Sequence, residues 1–422
     1  MTVRRRTVLL AVASAPLLVA CSKTADKAAP KLKLEKVWQE PVVTPWVAVP
    51  GRVRLVGDAV VVADGTGTAN ARVACFNAAD GAKKWVMDGT KPVSAPELGD
   101  VWVSVVGPGF LGYSSTLIQG PTVRAAGDIL PVPVASAPKG AAASGVVGID
   151  VRTGNPVWGF RAGATPSTDR TMVTAVAESV VLATVSAPFG PGWPDKTRPP
   201  TTIALDAKTG DELWRDADAI GVSGDGNSVV VVKRTAASWH MEVRDARTGK
   251  ARWTGTHQSR GPYEHRGTAA DHTVLKHADR KDLDLIRLSD GKPLDYGTDA
   301  TPNVVASDPP LLVWDSGVAW WAKGPNGFVT QTLPKGSPTK GKHRPKGLEF
   351  TAAYGVGPYI WGDYGTTQES EDNDYLAGTV AVDRTGAPCS PNLQGVMLAD
   401  VSENWLVVAR KDHIELHRVT TA

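Results

Sequence analysis

One spacing recurs along this chain and constrains it more than any other feature. In Ala204-Leu-Asp-Ala-Lys-Thr-Gly-Asp-Glu-Leu-Trp214, an alternating apolar stretch ends at Asp206, Thr209-Gly210 makes a turn, and a second segment carries Trp214. Alternation on both sides of a Gly-containing turn predicts a β-hairpin. The Asp side chain can accept hydrogen bonds from turn amides, and the Gly supplies the positive φ that a tight hairpin needs. The Trp sets a large apolar area, with one N–H to satisfy, against whatever packs beside the hairpin.

The spacing returns as Asp150-Thr153-Gly154-Trp158 and as Asp245-Thr248-Gly249-Trp253, and with one softened position as Asn77-Asp80-Gly81-Trp85. Fading copies follow at Ser289-Asp290-Gly291, Pro325-Asn326-Gly327 and Asp383-Arg384-Thr385-Gly386, the last one residue short. A hairpin repeated at intervals of about 40 residues or more is the signature of a propeller or a related repeat array.

Ala-x-Asp-x-x-Thr-Gly-x-x-x-Trp resembles the tryptophan-docking motif of β-propellers in the pyrroloquinoline-quinone (PQQ) repeat superfamily. That superfamily includes quinoprotein alcohol dehydrogenases and non-enzymatic lipoproteins such as the propeller subunit of the outer-membrane β-barrel assembly machinery. Residues 204–214 fit the motif in full, while the Ala slot of the other copies holds Cys75, Gly148 and Val243. The resemblance covers nearly all of the chain after its leader. It implies an all-β propeller in which the motif tryptophans are structural, locking neighbouring blades together. Fold alone does not fix function.

The pattern predicts eight four-stranded blades, with seven as the alternative count. The first spans about 53–87, the second runs from Val93 to the Trp158 strand, and the third joins Met172–Val185 to the Asp206 hairpin. The fourth joins Ala219–Lys233 to the Asp245 hairpin, the fifth joins Gly267–His277 to the Asp290-Gly291 hairpin, and the sixth to eighth, between Val304 and Val419, rest on pattern with little motif support. Lys36-Val37-Trp38 looks like the end of a repeat with no repeat before it. Such an orphan N-terminal strand can complete the last blade and close the ring, hiding sheet edges. Gly107–Ser144, Pro188–Pro200, Lys335–Lys346 and Thr366–Tyr375 interrupt the rhythm, and insertions of this kind often mark a binding face.

The first 20 residues read as a lipoprotein signal peptide rather than as structure. Arg4-Arg5-Arg6 precedes an apolar stretch from Val8 to Ala20, which is short for a membrane span. Leu18-Val19-Ala20-Cys21 resembles a bacterial lipobox, so Cys21 is expected to be lipidated and to anchor the exported chain to the outer face of a membrane. Export through the Sec or the twin-arginine route fits equally. Residues 21–33, rich in Lys, Ala and Pro, are expected to form a flexible tether, with the propeller filling 34–422. Only Cys75 and Cys389 remain, too few for a disulfide framework. A buried Cys75 thiol is the expectation, a Cys75–Cys389 bridge the alternative.

Charge and motifs narrow the function. Lys+Arg of 46 against Asp+Glu of 43 leaves no excess of basic charge for a nucleic-acid partner. Quinoprotein dehydrogenases hold PQQ between a Trp and a disulfide of adjacent cysteines, above a calcium bound by Glu, Asn and Asp. No cysteines are adjacent here, and Gly-x-Ser-x-Gly, a phosphate loop and His-Glu-x-x-His are all missing from the sequence. No catalytic residue, cofactor or metal site is therefore assigned. Glu369–Asp374 carries several oxygen ligands suited to calcium but reads first as a solvated acidic loop. His257, His265, His272 and His277 are scattered, and Lys335–Lys346 is a basic loop that could lie on anionic headgroups. Trp193, between Gly and Pro residues, is the candidate partner-binding aromatic. The expected function is that of a monomeric, non-catalytic scaffold binding a protein at the cell envelope. A small-molecule or glycan sensor using the propeller funnel and a degenerate quinoprotein enzyme are the alternatives.

Overall fold

The computed structural model describes residues 29–42, 52–64, 71–104, 125–136, 143–162, 170–186, 199–235, 238–255, 264–269, 271–276, 283–293, 312–314, 317–321, 328–332, 339–340, 350–365, 377–383 and 385–422. Every regular element among them is a β-strand, and the strands pair antiparallel.

After β1 (Leu32–Pro41), the first sheet is formed by β2 (Val53–Val56), β3 (Ala59–Asp64), β4 (Arg72–Asn77) and β5 (Lys83–Asp88). The second contains β6 (Val93–Ala95), β7 (Gly99–Val103), β8 (Ile129–Ala135), β9 (Ala143–Asp150) and β10 (Pro156–Arg161). The third contains β11 (Arg170–Ala177), β12 (Val180–Ser186), β13 (Thr201–Asp206) and β14 (Glu212–Ala217). The fourth contains β15 (Ala219–Asp225), β16 (Ser228–Arg234), β17 (Trp239–Asp245) and β18 (Ala251–Thr254).

The fifth sheet has three described strands, β19 (Glu264–Ala269), β20 (His272–Lys276) and β21 (Leu283–Arg287). The sixth contains β22 (Leu312–Trp314), β23 (Gly317–Trp321), β24 (Phe328–Thr332) and β25 (Thr339–Lys340). The seventh contains β26 (Phe350–Val356), β27 (Tyr359–Gly365), β28 (Ala377–Asp383) and β29 (Leu393–Gln394). In the last, β30 (Met397–Val401), β31 (Trp405–Ala409) and β32 (His413–Thr421) are completed by β1.

Successive sheets touch through their first strands: β11 with β15, β15 with β19, β19 with β22, β22 with β26, β26 with β30, and β30 with β2. Contacts of β5 with β7 and of β9 with β11 complete the ring. The core accordingly lies in the seams between sheets. Val60, Val62 and Phe76 of the first sheet meet Val407, Ile414 and Leu416 of the last, and Ala175, Leu182 and Ala204 of the third meet Ala219, Val229 and Val231 of the fourth. Because both faces of the first and fourth sheets are covered, inner strands such as β3 and β16 carry continuous apolar runs, mostly Val, rather than alternating ones.

Turns in each meander alternate between two ends of the ring. The motif turns and the short first turns share one end and bond to each other. Ala78 N donates to Asp58 O (2.8 Å), Ala207 N to Ser179 O (2.9 Å) and Ala246 N to Asn227 O (2.9 Å). This is the motif-turn end. Strand ends leading into residues 65–70, 187–198 and 366–376 lie at the opposite, loop end.

Three expectations change. The sheets are not uniformly four-stranded, since the second gains the β6–β7 pair. The stretch 107–144 is not one insertion. Asp128 O accepts Val151 N (2.8 Å) as the other first turns do, and Ile129–Ala135 is a strand. Pro131 and Pro133 hid it, because prolines argue against an inner strand. Their nitrogens face the β7 side, where among the described residues β7 pairs with Val134 and Ala135. Lastly, β1 begins at Leu32, and the residues before it are already held. Leu32 N donates to Cys389 O (2.7 Å), Tyr359 Oη to Pro30 O (3.1 Å) and Ala422 N to Lys31 O (2.8 Å). The segment expected to be free to residue 33 is thus fastened from residue 29. Cys75 and Cys389 are both buried and free, so no bridge joins them.

Candidate functional site

The motif side chains build a chain of joints around the ring. Trp85 Nε1 donates to Val151 O (2.7 Å), Trp158 Nε1 to Ala207 O (2.9 Å) and Trp214 Nε1 to Ala246 O (2.8 Å). In each case the acceptor follows the Asp of the next motif. Each indole also packs on the next motif's glycine: a Cβ on Gly154, Gly210 or Gly249 would lie 2.4, 2.7 or 2.8 Å from Trp85, Trp158 or Trp214. Trp253 packs on Gly291 in the same way, and Trp38 on Gly81. These glycines have φ of +67° to +77°, so two constraints meet at each. Trp158 sinks deepest, to 3 % exposure, because Gly148 opposite it lets the ring lie across the strand.

The turns are closed by side chain to backbone bonds. Asp150 Oδ1 accepts the N–H of Arg152 (2.9 Å) and Thr153 (2.8 Å), Asp206 Oδ1 those of Lys208 (2.9 Å) and Thr209 (3.2 Å), and Asp245 Oδ1 that of Thr248 (2.9 Å). Asn77 Oδ1 accepts only Ala79 N (3.2 Å). The Thr153 N–H holds Asp150, and the Thr248 N–H holds Asp245, below the usual carboxylate range. In the fifth copy the Asp slot is Arg287. The turn survives because Gly291 N still bonds Arg287 O (2.7 Å), while the guanidinium grips Asp290 (2.8 and 2.9 Å).

Charged groups reinforce the seams. Asp216 at the end of the third sheet holds Lys233 (2.8 Å) and Arg244 (2.6 Å) of the fourth, and the Arg244 guanidinium lies 5.7 Å from the centroid of Trp214. Burial alone would raise Asp216, but the two cations outweigh it and its carboxyl sits low.

The closing sheet is tied by buried carboxylates on both sides. Asp363 on β27 accepts Leu398 N of β30 (2.6 Å) and Thr379 Oγ1 (2.6 Å), and burial pushes it up to about 6. Asp400 on β30 accepts Leu55 N of β2 (2.7 Å) and Arg54 Nη1 (3.0 Å), and burial raises it too. On β32, Glu415 is gripped by His417 (3.1 Å), Arg410 (2.9 Å), Lys36 (2.9 Å) and His413 (3.2 Å), which hold its carboxyl far below the usual range. With two cations already on it, this carboxylate is a clamp between strands.

At the loop end, Glu40, Val42, Asp64, Arg72 and Phe76 line a recess with room for about one water, ≈ 10 Å³. The Arg52 guanidinium is buried nearby, its Nε and Nη1 without a hydrogen-bond partner among the described residues. No group of three or more His, Cys, Asp or Glu among the described residues could hold a metal ion. His272 lies on β20. Cys21, Trp193, His257, His277 and the acidic stretch 369–374 lie outside the described residues, as does the basic stretch apart from Thr339–Lys340. PQQ does not fit as in the dehydrogenases, because Cys75 and Cys389 are far apart in sequence, buried and unbridged.

Residues 142–308 match the family model described as "Outer membrane protein assembly factor BamB". Among solved structures, quinohemoprotein alcohol dehydrogenase from Comamonas testosteroni aligns at a TM-score of 0.50 and 12 % identity, over 91 % of this chain and 76 % of that one. The chain has the β-propeller fold. The propeller also aligns with BamB from Moraxella catarrhalis at a TM-score of 0.49 and 14 % identity, over 91 % of this chain and 99 % of that one. Comparison of the propeller with curated proteins gives no match.

Proposed function

We propose that this propeller is a monomeric, lipid-anchored, extracytoplasmic platform, without catalytic activity, that binds a protein partner at the cell envelope. Residues 1–20 direct export, Cys21 carries the lipid, and Trp193 belongs to the partner surface. The match to a family described as an outer membrane protein assembly factor supports protein binding over catalysis. One observation carries the reading: the motif-turn end is given over to joints between sheets, while the strand ends leading into 187–198 and 366–376 lie at the loop end. A scaffold holds one end rigid and varies the other.

The test is co-purification from detergent-solubilised membranes. Intact mass should show a lipid on Cys21, and one envelope protein should accompany the wild type and be depleted several-fold by Trp193→Ala. Equal recovery with the variant would remove Trp193 from the surface, and recovery of no protein would sink the platform reading.

A further inference from the structure

We infer that the motif-turn end of the propeller is apposed to the bilayer and that the loop end points away from it. The inference rests on the lipid anchor at Cys21 proposed above, and takes its direction from where the fixed chain begins.

Ala29 is held at the motif-turn end, where Cys389 Sγ reaches Ala29 O (3.9 Å), Tyr359 Oη bonds Pro30 O (3.1 Å) and Lys31 Nζ bonds Pro388 O. The register agrees: Leu32 opposes Thr421 at this end, and Pro41 opposes His413 at the loop end. Cys21 is eight residues before Ala29, so fully stretched the link spans at most about 29 Å. As a coil it would average roughly 15 Å. The ten residues of β1 cover about 33 Å along the flank of the ring. A lipid on Cys21 cannot reach past the loop end even with the link taut. Of the two ends, only the motif-turn end can meet the membrane.

Charge need not set this orientation, since several basic side chains at that end are paired with acids, as in Arg152–Asp128 (2.7 Å) and Arg247–Asp206 (2.9 Å). The short link does the work, so the orientation should not respond to salt. The partner would then be met on the side away from the lipid.

The test places one dye at either end of the same sheet. Glu403→Cys lies in the exposed turn between β30 and β31 at the motif-turn end, and Lys411→Cys in the exposed turn between β31 and β32 at the loop end. The native thiols of Cys75 and Cys389 are buried. The full-length lipoprotein, purified from membranes, is inserted into vesicles carrying a headgroup quencher, and its intact mass is recorded. Quenching at position 403 should exceed that at 411 several-fold, unchanged between low and high salt. Inserting 20 Gly/Ser residues after Ser22 should bring the ratio close to one. A lipidated chain quenched equally at both positions, or more at 411, overturns the orientation alone. A mature chain with no lipid on Cys21 overturns the anchored reading and this inference with it.

Discussion

Trp38 packs against Gly81: a Cβ on that glycine would sit 2.7 Å from the indole Cγ, and Trp38 Nε1 donates to Ala78 O at 3.1 Å. The contact joins the N-terminal strand to the first motif turn. It repeats the geometry by which Trp85, Trp158 and Trp214 meet the turns that follow them. The first and last sheets are therefore sealed by the same joint that links interior sheets, while β1 is held in the last sheet by pairing with β32.

This joint makes the glycines sensitive to a single methyl. Gly210→Ala should lower stability by about 1–3 kcal/mol, since the new Cβ meets Trp158 and neither can shift freely. In a Trp158→Ala background the clash is gone and only the strain of φ +77° remains, about 1 kcal/mol. Denaturant midpoints of the four proteins measure this coupling, and strictly additive costs would contradict the joint.

Asp363 gives the closing seam a pH dependence of known sign. Its folded pKa, about 6, lies above the ordinary 3.8, so its contribution is fully present below the unfolded value and is lost as pH rises through 6. Melting temperature should therefore fall between pH 4.5 and 7 by an amount that Asp363→Asn removes. The variant keeps an oxygen for Leu398 N and Thr379, so it should match or exceed wild type at pH 7.5. A variant with the wild-type slope would remove Asp363 as the source.

Glu415→Ala should be costly. It removes a shared partner from Lys36, Arg410, His413 and His417, of which His417 is buried. Breaking a buried pair costs about 3–5 kcal/mol, and the partial exposure of Lys36 and Arg410 puts the expectation near the lower figure, about 3 kcal/mol. Chemical denaturation reads the loss directly, and a change under 1 kcal/mol would show the clamp to be idle.

Asp245→Ala removes the acceptor for Thr248 N and should cost about 1 kcal/mol at neutral pH, as loss of a cap does. Its folded pKa is depressed, so the contribution is present above the unfolded value and disappears as pH falls through the folded one. The difference between wild type and variant should thus shrink in strong acid, which pH-resolved unfolding curves would show.

The hairpins were legible because their bonds are local. An Asp that must reach amides two and three residues on, and a Gly that must take positive φ, leave a fixed spacing. At Arg287 the slot holds an Arg–Asp290 grip instead, so that copy looked more decayed than its backbone is. The strand β8 is hard to read because two prolines suggest a loop, and nothing local shows that their nitrogens face away from β9. The seam networks were illegible for a different reason. Asp216 and Arg244 stand 28 residues apart, and Lys36 and Glu415 stand 379 apart, so the packing of neighbouring sheets brings the first pair together and the closing strand pair the second.

The most direct test of the central claim is crosslinking in cells from a photoreactive residue placed at position 193. The platform account predicts one reproducible envelope protein crosslinked at native abundance, lost when residues 107–120 are deleted with β8 left whole. Crosslinks to no protein, or to an unselective mixture unaffected by that deletion, would contradict it.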